Sequence, residues 1–276
     1  MQFRLISTLA ALMLALSATA QTSEREYILE LTSPDKPVQL EVSVYFGEIN
    51  IVGFDGKQVE VSVRKTEREN PDDNRRKAKA DAHTPSRSVA GLTPVAISSS
   101  VVAIEEHNNH VEVSAEYSNE YVAVDIRVPR NSSVESQLRS GGSLKVSGIN
   151  GSLELESWKS PIEALDVSGP IVAETHSEDI VVRFSSLDQA NPTSLASHSG
   201  NIDISLSQNI KAQVVVQSFR GQLYSGVKAP FTRTDRVEKT EEQEIIIGGH
   251  MSAAVNGGGQ QISLNTYSGD IYVRQH

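Results

Sequence analysis

From Leu144 to Val182 the chain carries an apolar pair on a fixed nine-residue step. Leu144, Leu153, Ile162, Ile171 and Ile180 open the pairs. Val146, Leu155, Ala164, Ala173 and Val182 close them two residues later. Apolar residues two apart share one side of a strand. Nine residues hold a strand of about five and a turn of about four, with no room for a helix. Gly142, Gly151 and Gly169 stand two residues ahead of three pairs, and Ser160 and Glu178 fill that slot in the other two. Glycine in the slot predicts a tight reversal. A strict short period predicts stacked β units. If two strands make one coil, Leu144, Ile162 and Ile180 lie in one sheet and Leu153 and Ile171 in the other. That is a flattened β-solenoid. An antiparallel meander with four-residue hairpin turns is the alternative, and Asn150-Gly151 is a turn signal in its favour.

Alternation continues outside this region. Val38 to Val44, Gly47 to Ile51 and Val59 to Val63 read as half-buried strands, as do Val101–Ile104, Val111–Ala115 and Tyr121–Val128. The beat returns at Ile202/Ile204, Val214/Val216, Ile262/Leu264 and Ile271/Val273. Two charged stretches break it. Residues 65–94 are dense in both charges and predict an exposed insertion with a short helix over 74–82. Residues 228–244 form a second charged interruption. The expected organisation is therefore one elongated all-β repeat domain over 27–276 with insertions near 65–94 and 228–244.

The first twenty residues predict a secretion signal. Arg4 is followed by an apolar run from Leu5 to Leu16, and Ala18-Thr19-Ala20 is a small-x-small cleavage site. The run is shorter than the roughly 20 residues a membrane-spanning helix needs. The expected location is beyond the inner membrane, periplasmic or at the cell surface, with no membrane-spanning segment. The chain has no cysteine, which excludes thiolate metal sites and cysteine nucleophiles. Its 25 Lys and Arg stand against 35 Asp and Glu, a balance unsuited to nucleic acid. Aromatic residues are only 5%, which suits a thin core of Val, Ile and Leu better than a sugar-gripping groove.

Candidate chemistry is sparse. Gly-Gly-x-Gly-x-Asp calcium turns are missing, because the slot ahead of each strand never holds aspartate in the 142–182 repeat. Asp166, Asp179, Asp203 and Asp270 lie in or beside strands and turns, and paired acids could serve a glycosidase. No Arg, Lys or His recurs beside them in sequence. His107 and His110 have the spacing of some metal pairs but lack a third ligand. His176 and His198 stand just ahead of turns and read as exposed loop histidines. Gly257-Gly258-Gly259 precedes a strand, so no helix N-terminus is available there to hold phosphate. No catalytic, cofactor-binding or metal residue is assigned, and no cofactor is expected.

Four segments carry a family resemblance. They are Val124-Asp-Ile-Arg-Val-Pro129, Ser140-Gly-Gly-Ser-Leu-Lys-Val-Ser-Gly148, Ser197-His-Ser-Gly-Asn-Ile-Asp-Ile204, and the run from Asn256 to Val273 that ends in Ser-Gly-Asp-Ile-Tyr-Val. In this order they resemble the bacterial β-strand-repeat family labelled "putative adhesin", which is related to the head GIN domain family. The likeness covers 122–276, with a fainter echo at 38–63. It implies a secreted or envelope-facing all-β protein with no recognised catalytic residues. The expected function is a non-enzymatic surface that binds an envelope protein or a polysaccharide. The alternative is a carbohydrate-active enzyme on a β-helix.

Overall fold

The computed structural model describes residues 23–67, 102–117, 120–239 and 244–276. Among them there is no helix, and nineteen strands form one hydrogen-bonded network. The predicted secretion signal and the helix expected over 74–82 lie outside the described residues.

The nine-residue repeat supplies β7 (Ser133–Ser147), β8 (Leu153–Lys159), β9 (Ile162–Val167), β10 (Ile171–Thr175) and β11 (Ile180–Phe184). From β8 to β11, neighbours in sequence do not pair. β8 pairs in parallel with β10, Leu153 opposite Ile171. β9 pairs in parallel with β11, Ile162 opposite Ile180. β7 is long enough to serve both ladders, with Val134 opposite Leu153 and Leu144 opposite Ile162. This is the partition that the nine-residue step implies. It corrects the meander alternative: the short turns carry the chain across to the other ladder instead of back alongside the same one.

Both ladders extend the same way. β12 (Thr193–Ser197) follows β10, and β13 (Ile202–Leu206) follows β11. The side chains alternate strictly between buried and outward positions. The inward ones form a single cluster of Val, Ile and Leu, with Phe184 the bulkiest fully buried member. Burying each such side chain contributes roughly 1.5–3 kcal/mol.

The ends of the stack are interleaved. β18 (Gln260–Thr266) lies between β12 and β14 (Ala212–Ser218), and β19 (Ile271–Gln275) lies between β13 and β15 (Leu223–Ser225). The C-terminal coil is thus one layer in from the end, and the coil that precedes it in sequence is outermost. The other end repeats the arrangement. β2 (Gln39–Phe54) is inserted between β7 on one side and β5 (His110–Ala115) and β6 (Glu120–Pro129) on the other. The two short strands expected at 38–44 and 47–51 are therefore one long strand that passes from ladder to ladder.

Antiparallel strands flank the stack at both ends. β4 (Val102–His107) covers β5. β3 (Gln58–Glu67) covers β6, and β1 (Ser23–Glu30) covers β3. At the far end β17 (Glu244–Val255) covers β14, and β16 (Thr232–Lys239) covers β17. Much of the charged interruption at 228–244 is thus strand, since edge pairing asks only for backbone donors and acceptors. Parallel units otherwise leave unpaired edges.

Candidate functional site: a ring-lined groove on one ladder

One turn recurs five times where the β8 ladder hands the chain to the β9 ladder. It reads Ser157-Trp-Lys-Ser-Pro161, Thr175-His-Ser-Glu-Asp179, Ser197-His-Ser-Gly-Asn201, Thr266-Tyr-Ser-Gly-Asp270 and Ser218-Phe-Arg-Gly-Gln222. The first residue is always Ser or Thr, turned inward. Its hydroxyl accepts the backbone N–H three residues on. Gly200 N–H donates to Ser197 Oγ at 2.8 Å, Gly269 N–H to Thr266 Oγ1 at 3.0 Å, and Gly221 N–H to Ser218 Oγ at 2.8 Å. The same hydroxyl donates to a carbonyl of the next layer: Ser197 to Glu178 O, Thr266 to Gly200 O, Ser218 to Gly269 O. A fifth-position side chain adds another link. Asp179 Oδ1 accepts Asn201 N–H, Asn201 Oδ1 accepts Asp270 N–H, and Asp270 Oδ1 accepts Gln222 N–H, at 2.7–2.8 Å.

The glycines in this turn are selected by close approach, not by backbone sign. A Cβ on Gly200 would lie 1.8 Å from Glu178 O, and one on Gly269 would lie 2.0 Å from Gly200 O. Neither has a positive φ. The glycine expected ahead of a strand at a tight reversal is thus required there by the close approach of the next layer's backbone.

The second residue of each turn is always a planar ring. Trp158, His176, His198, Tyr267 and Phe219 stack in one column, with centroids 4.5, 5.2, 5.1 and 5.1 Å apart and planes within 10°. Arg139 lies 5.0 Å from the Trp158 ring centre, and Arg220 lies 5.4 Å from that of Tyr267. Ring faces are consumed by their neighbours, so the column shows solvent its edges, the electropositive part of an aromatic ring. Only three aromatic residues and two histidines make the column, yet they line a groove that the 5% aromatic content did not lead one to expect. His176 and His198 are exposed and precede turns, as expected, but both are held in the stack. Their role was missed because the ring type changes at each repeat. The constant offset after an inward Ser or Thr was the available signal.

Beside the column runs an open groove of about 720 Å³, floored by Glu156, Glu174, Ala196, Gln217 and Asn265. A second groove of about 430 Å³ continues it past Arg139 to Tyr45 and Tyr117, sharing Glu156 and Trp158 with the first. A further row lies two residues back along the strands. Glu105, Glu112, Glu41, Glu135 and Glu154 stand side by side on five neighbouring strands. His110 approaches Glu41 at 3.4 Å. Among the described residues no ion pair reaches Glu105, Glu112, Glu135, Glu154, Glu156 or Glu174.

The β9 ladder differs. Five of its outward acids are paired: Asp125 with Arg64 at 3.1 Å, Glu60 with Arg127 at 2.6 Å, Glu163 with Lys145 at 3.5 Å, Asp166 with Arg183 at 3.1 Å, and Asp203 with Arg274 at 2.8 Å. Burial and the neighbouring Asp270 carboxylate raise the Tyr272 phenol.

The four acids singled out as a possible hydrolytic set are thus engaged separately. Asp166 and Asp203 hold arginines that sequence distance had hidden, and Asp179 and Asp270 hold turn N–H groups. His107 and His110 are cross-strand partners at the β4–β5 turn, where Asn108 Nδ2 lies 2.8 Å from His107 Nε2. Among the described residues no group of three or more His, Asp or Glu could hold a metal ion.

No protein-family model matches the chain, and no curated protein matches it. Two solved structures align along most of it. One is described as a putative cell adhesion protein from Clostridium sporogenes ATCC 15579, at 14% identity and a TM-score of 0.44, covering 93% of this chain and all of that one. The other is described as a putative adhesin from Bacteroides fragilis NCTC 9343, at 11% identity and a TM-score of 0.34, covering 94% of this chain and 98% of that one. Both descriptions share the label that the sequence resemblance carries. Similarity this low assigns no activity.

Proposed function

We propose that this chain is a short β-solenoid of the bacterial envelope, exported by its N-terminal signal, that acts without catalysis as a binding surface of the adhesin kind. The single observation that carries the reading is the groove along the ring column. It crosses several layers of the stack, so its natural occupant is long and repetitive, and solenoids bind partners along such surfaces. The ring column and the hydroxyl ladder hold its wall and floor rigid, which lowers the ordering cost of binding.

The test uses a reporter built into the site. Trp158 is the only tryptophan in the chain and lines both grooves. Purified envelope polysaccharides and surface proteins are titrated against the full mature protein, and the emission of Trp158 is followed. A ligand of the groove shifts that emission, and Ala196→Arg, which fills the middle of the floor, abolishes the shift while leaving the melting temperature intact. Binding that Ala196→Arg does not affect would move the interaction elsewhere and sink the reading.

A further inference from the structure

We propose that the groove face of the β8 ladder takes a linear β-1,4-linked polysaccharide bearing free amino groups, laid along the direction in which the strands stack. The inference rests on the reading of the groove as a binding surface and adds the chemistry of its occupant. It starts from the asymmetry between the two ladders. The β9 ladder holds Asp125, Glu60, Glu163, Asp166 and Asp203 against arginine or lysine. The β8 ladder lines up glutamates in register, and like charges directly across neighbouring strands destabilise a sheet. Folding gains nothing from Glu135 beside Glu154, or from Glu156 beside Glu174. A cationic partner converts that repulsion into attraction.

The shape of the charge selects among cationic partners. In-register side chains project side by side instead of converging, and among the described residues no group of three or more ligands could hold a metal ion. A point charge is therefore a poor match and a line of charges a good one. Successive glutamates repeat at the strand spacing, about 4.8 Å. An extended peptide presents same-side residues roughly every 6.6 Å and falls out of step after two layers. A β-1,4-linked chain turns over at each unit, so groups on one side recur at about two strand spacings and stay in step with alternate strands. The remaining surface suits a sugar as well. Asn265 and Gln217 both donate and accept, Glu156 and Glu174 accept from hydroxyls and ammonium groups, and the ring edges favour electronegative sugar oxygens. Two cations stand at this wall, Arg139 turned onto the Trp158 ring and Arg220 turned onto the Tyr267 ring.

The experiment compares three probes on the mature protein by Trp158 emission and calorimetry: a glucosamine hexamer, the fully N-acetylated hexamer and poly-L-lysine. The glucosamine hexamer is expected to bind about tenfold or more tighter than its N-acetylated counterpart. One exposed carboxylate–ammonium contact is worth about two- to fivefold. The Glu156→Gln/Glu174→Gln pair should therefore lose about tenfold, while Glu26→Gln on β1 changes nothing. Binding should fade at 1 M salt, where charges more than about 3 Å apart are screened. Both glutamates point outward, so the double variant keeps or slightly raises the melting temperature. Equal binding of the two hexamers overturns the charge argument, and equal binding of poly-L-lysine overturns the sugar argument. If only uncharged polymers bind, and Ala196→Arg still abolishes that binding, the groove stands as a binding surface and the amine inference falls.

Discussion

At the scale of single residues, the inward Ser197, Ser218 and Thr266 each carry two duties, and the chain supplies its own control. Thr175, Ser197 and Thr266 occupy equivalent places and are all buried. Ser197→Thr should therefore be nearly neutral. Ser197→Ala leaves the Gly200 N–H without its acceptor and should cost about 1–3 kcal/mol in urea unfolding. Gly269→Ala should cost a similar amount or more, because its methyl would meet the Gly200 backbone, which has no free end to swing away. A different residue reports on pH. Burial, with the Glu48 carboxylate beside it, raises the Tyr121 phenol to about 12. A folded-state value above the ordinary 10.0 contributes stability that is complete below pH 10 and is lost as pH rises through 12. Tyr121→Phe should flatten the alkaline limb of a stability–pH curve between those values. An unchanged limb would assign the loss to other groups.

At the scale of elements, the ring column and the strands answer to different rules. The strands were legible because their side-chain period is two and their step is constant. That is why Leu153 and Ile171 could be placed in one ladder and Ile162 and Ile180 in the other from spacing alone. The column was not legible by identity, since Trp, His, His, Tyr and Phe share planarity and little else. What unites them is the fixed distance from an inward hydroxyl. His176 sits between two stacked neighbours, and each stacked contact is worth roughly 0.5–1.5 kcal/mol beyond buried area. His176→Phe should hold the melting temperature. His176→Leu should lower it and alter the emission of Trp158, which loses its stacked partner. Equal melting temperatures would show that the column adds no stability to the turns. The Glu105-to-Glu154 row was invisible for another reason: its members come from strands far apart in sequence and meet only through pairing.

At the scale of the whole molecule, the regular middle follows from the repeat and the two ends do not. Pairings such as Gln39 with His110 and Thr193 with Ile262 join distant parts of the chain, and no local pattern encodes which layer receives which segment. Interleaving also makes the last coil a shared support. β18 is hydrogen-bonded to β12 on one side and to β14 on the other. Ending the chain after Gly259 should therefore expose 212–255 to protease as well, while 133–206 stays protected. Continued protection of 212–225 would show that this coil can dock directly on β12 and β13.

That interleaving has a consequence for how the protein comes into being. A chain made from its N-terminus delivers residues 212–225 before residues 260–275. At that moment the exposed edge of β12 and β13 offers the earlier arrival a place that belongs to the later one. The seat must be left vacant or vacated again, so the stack takes this form only once residues 260–275 arrive. A copy that lacks residues 260–275 then stops at the open edge of β12 and β13, with residues 212–225 undocked as well. A quality-control protease that samples open strands would meet both in such a copy.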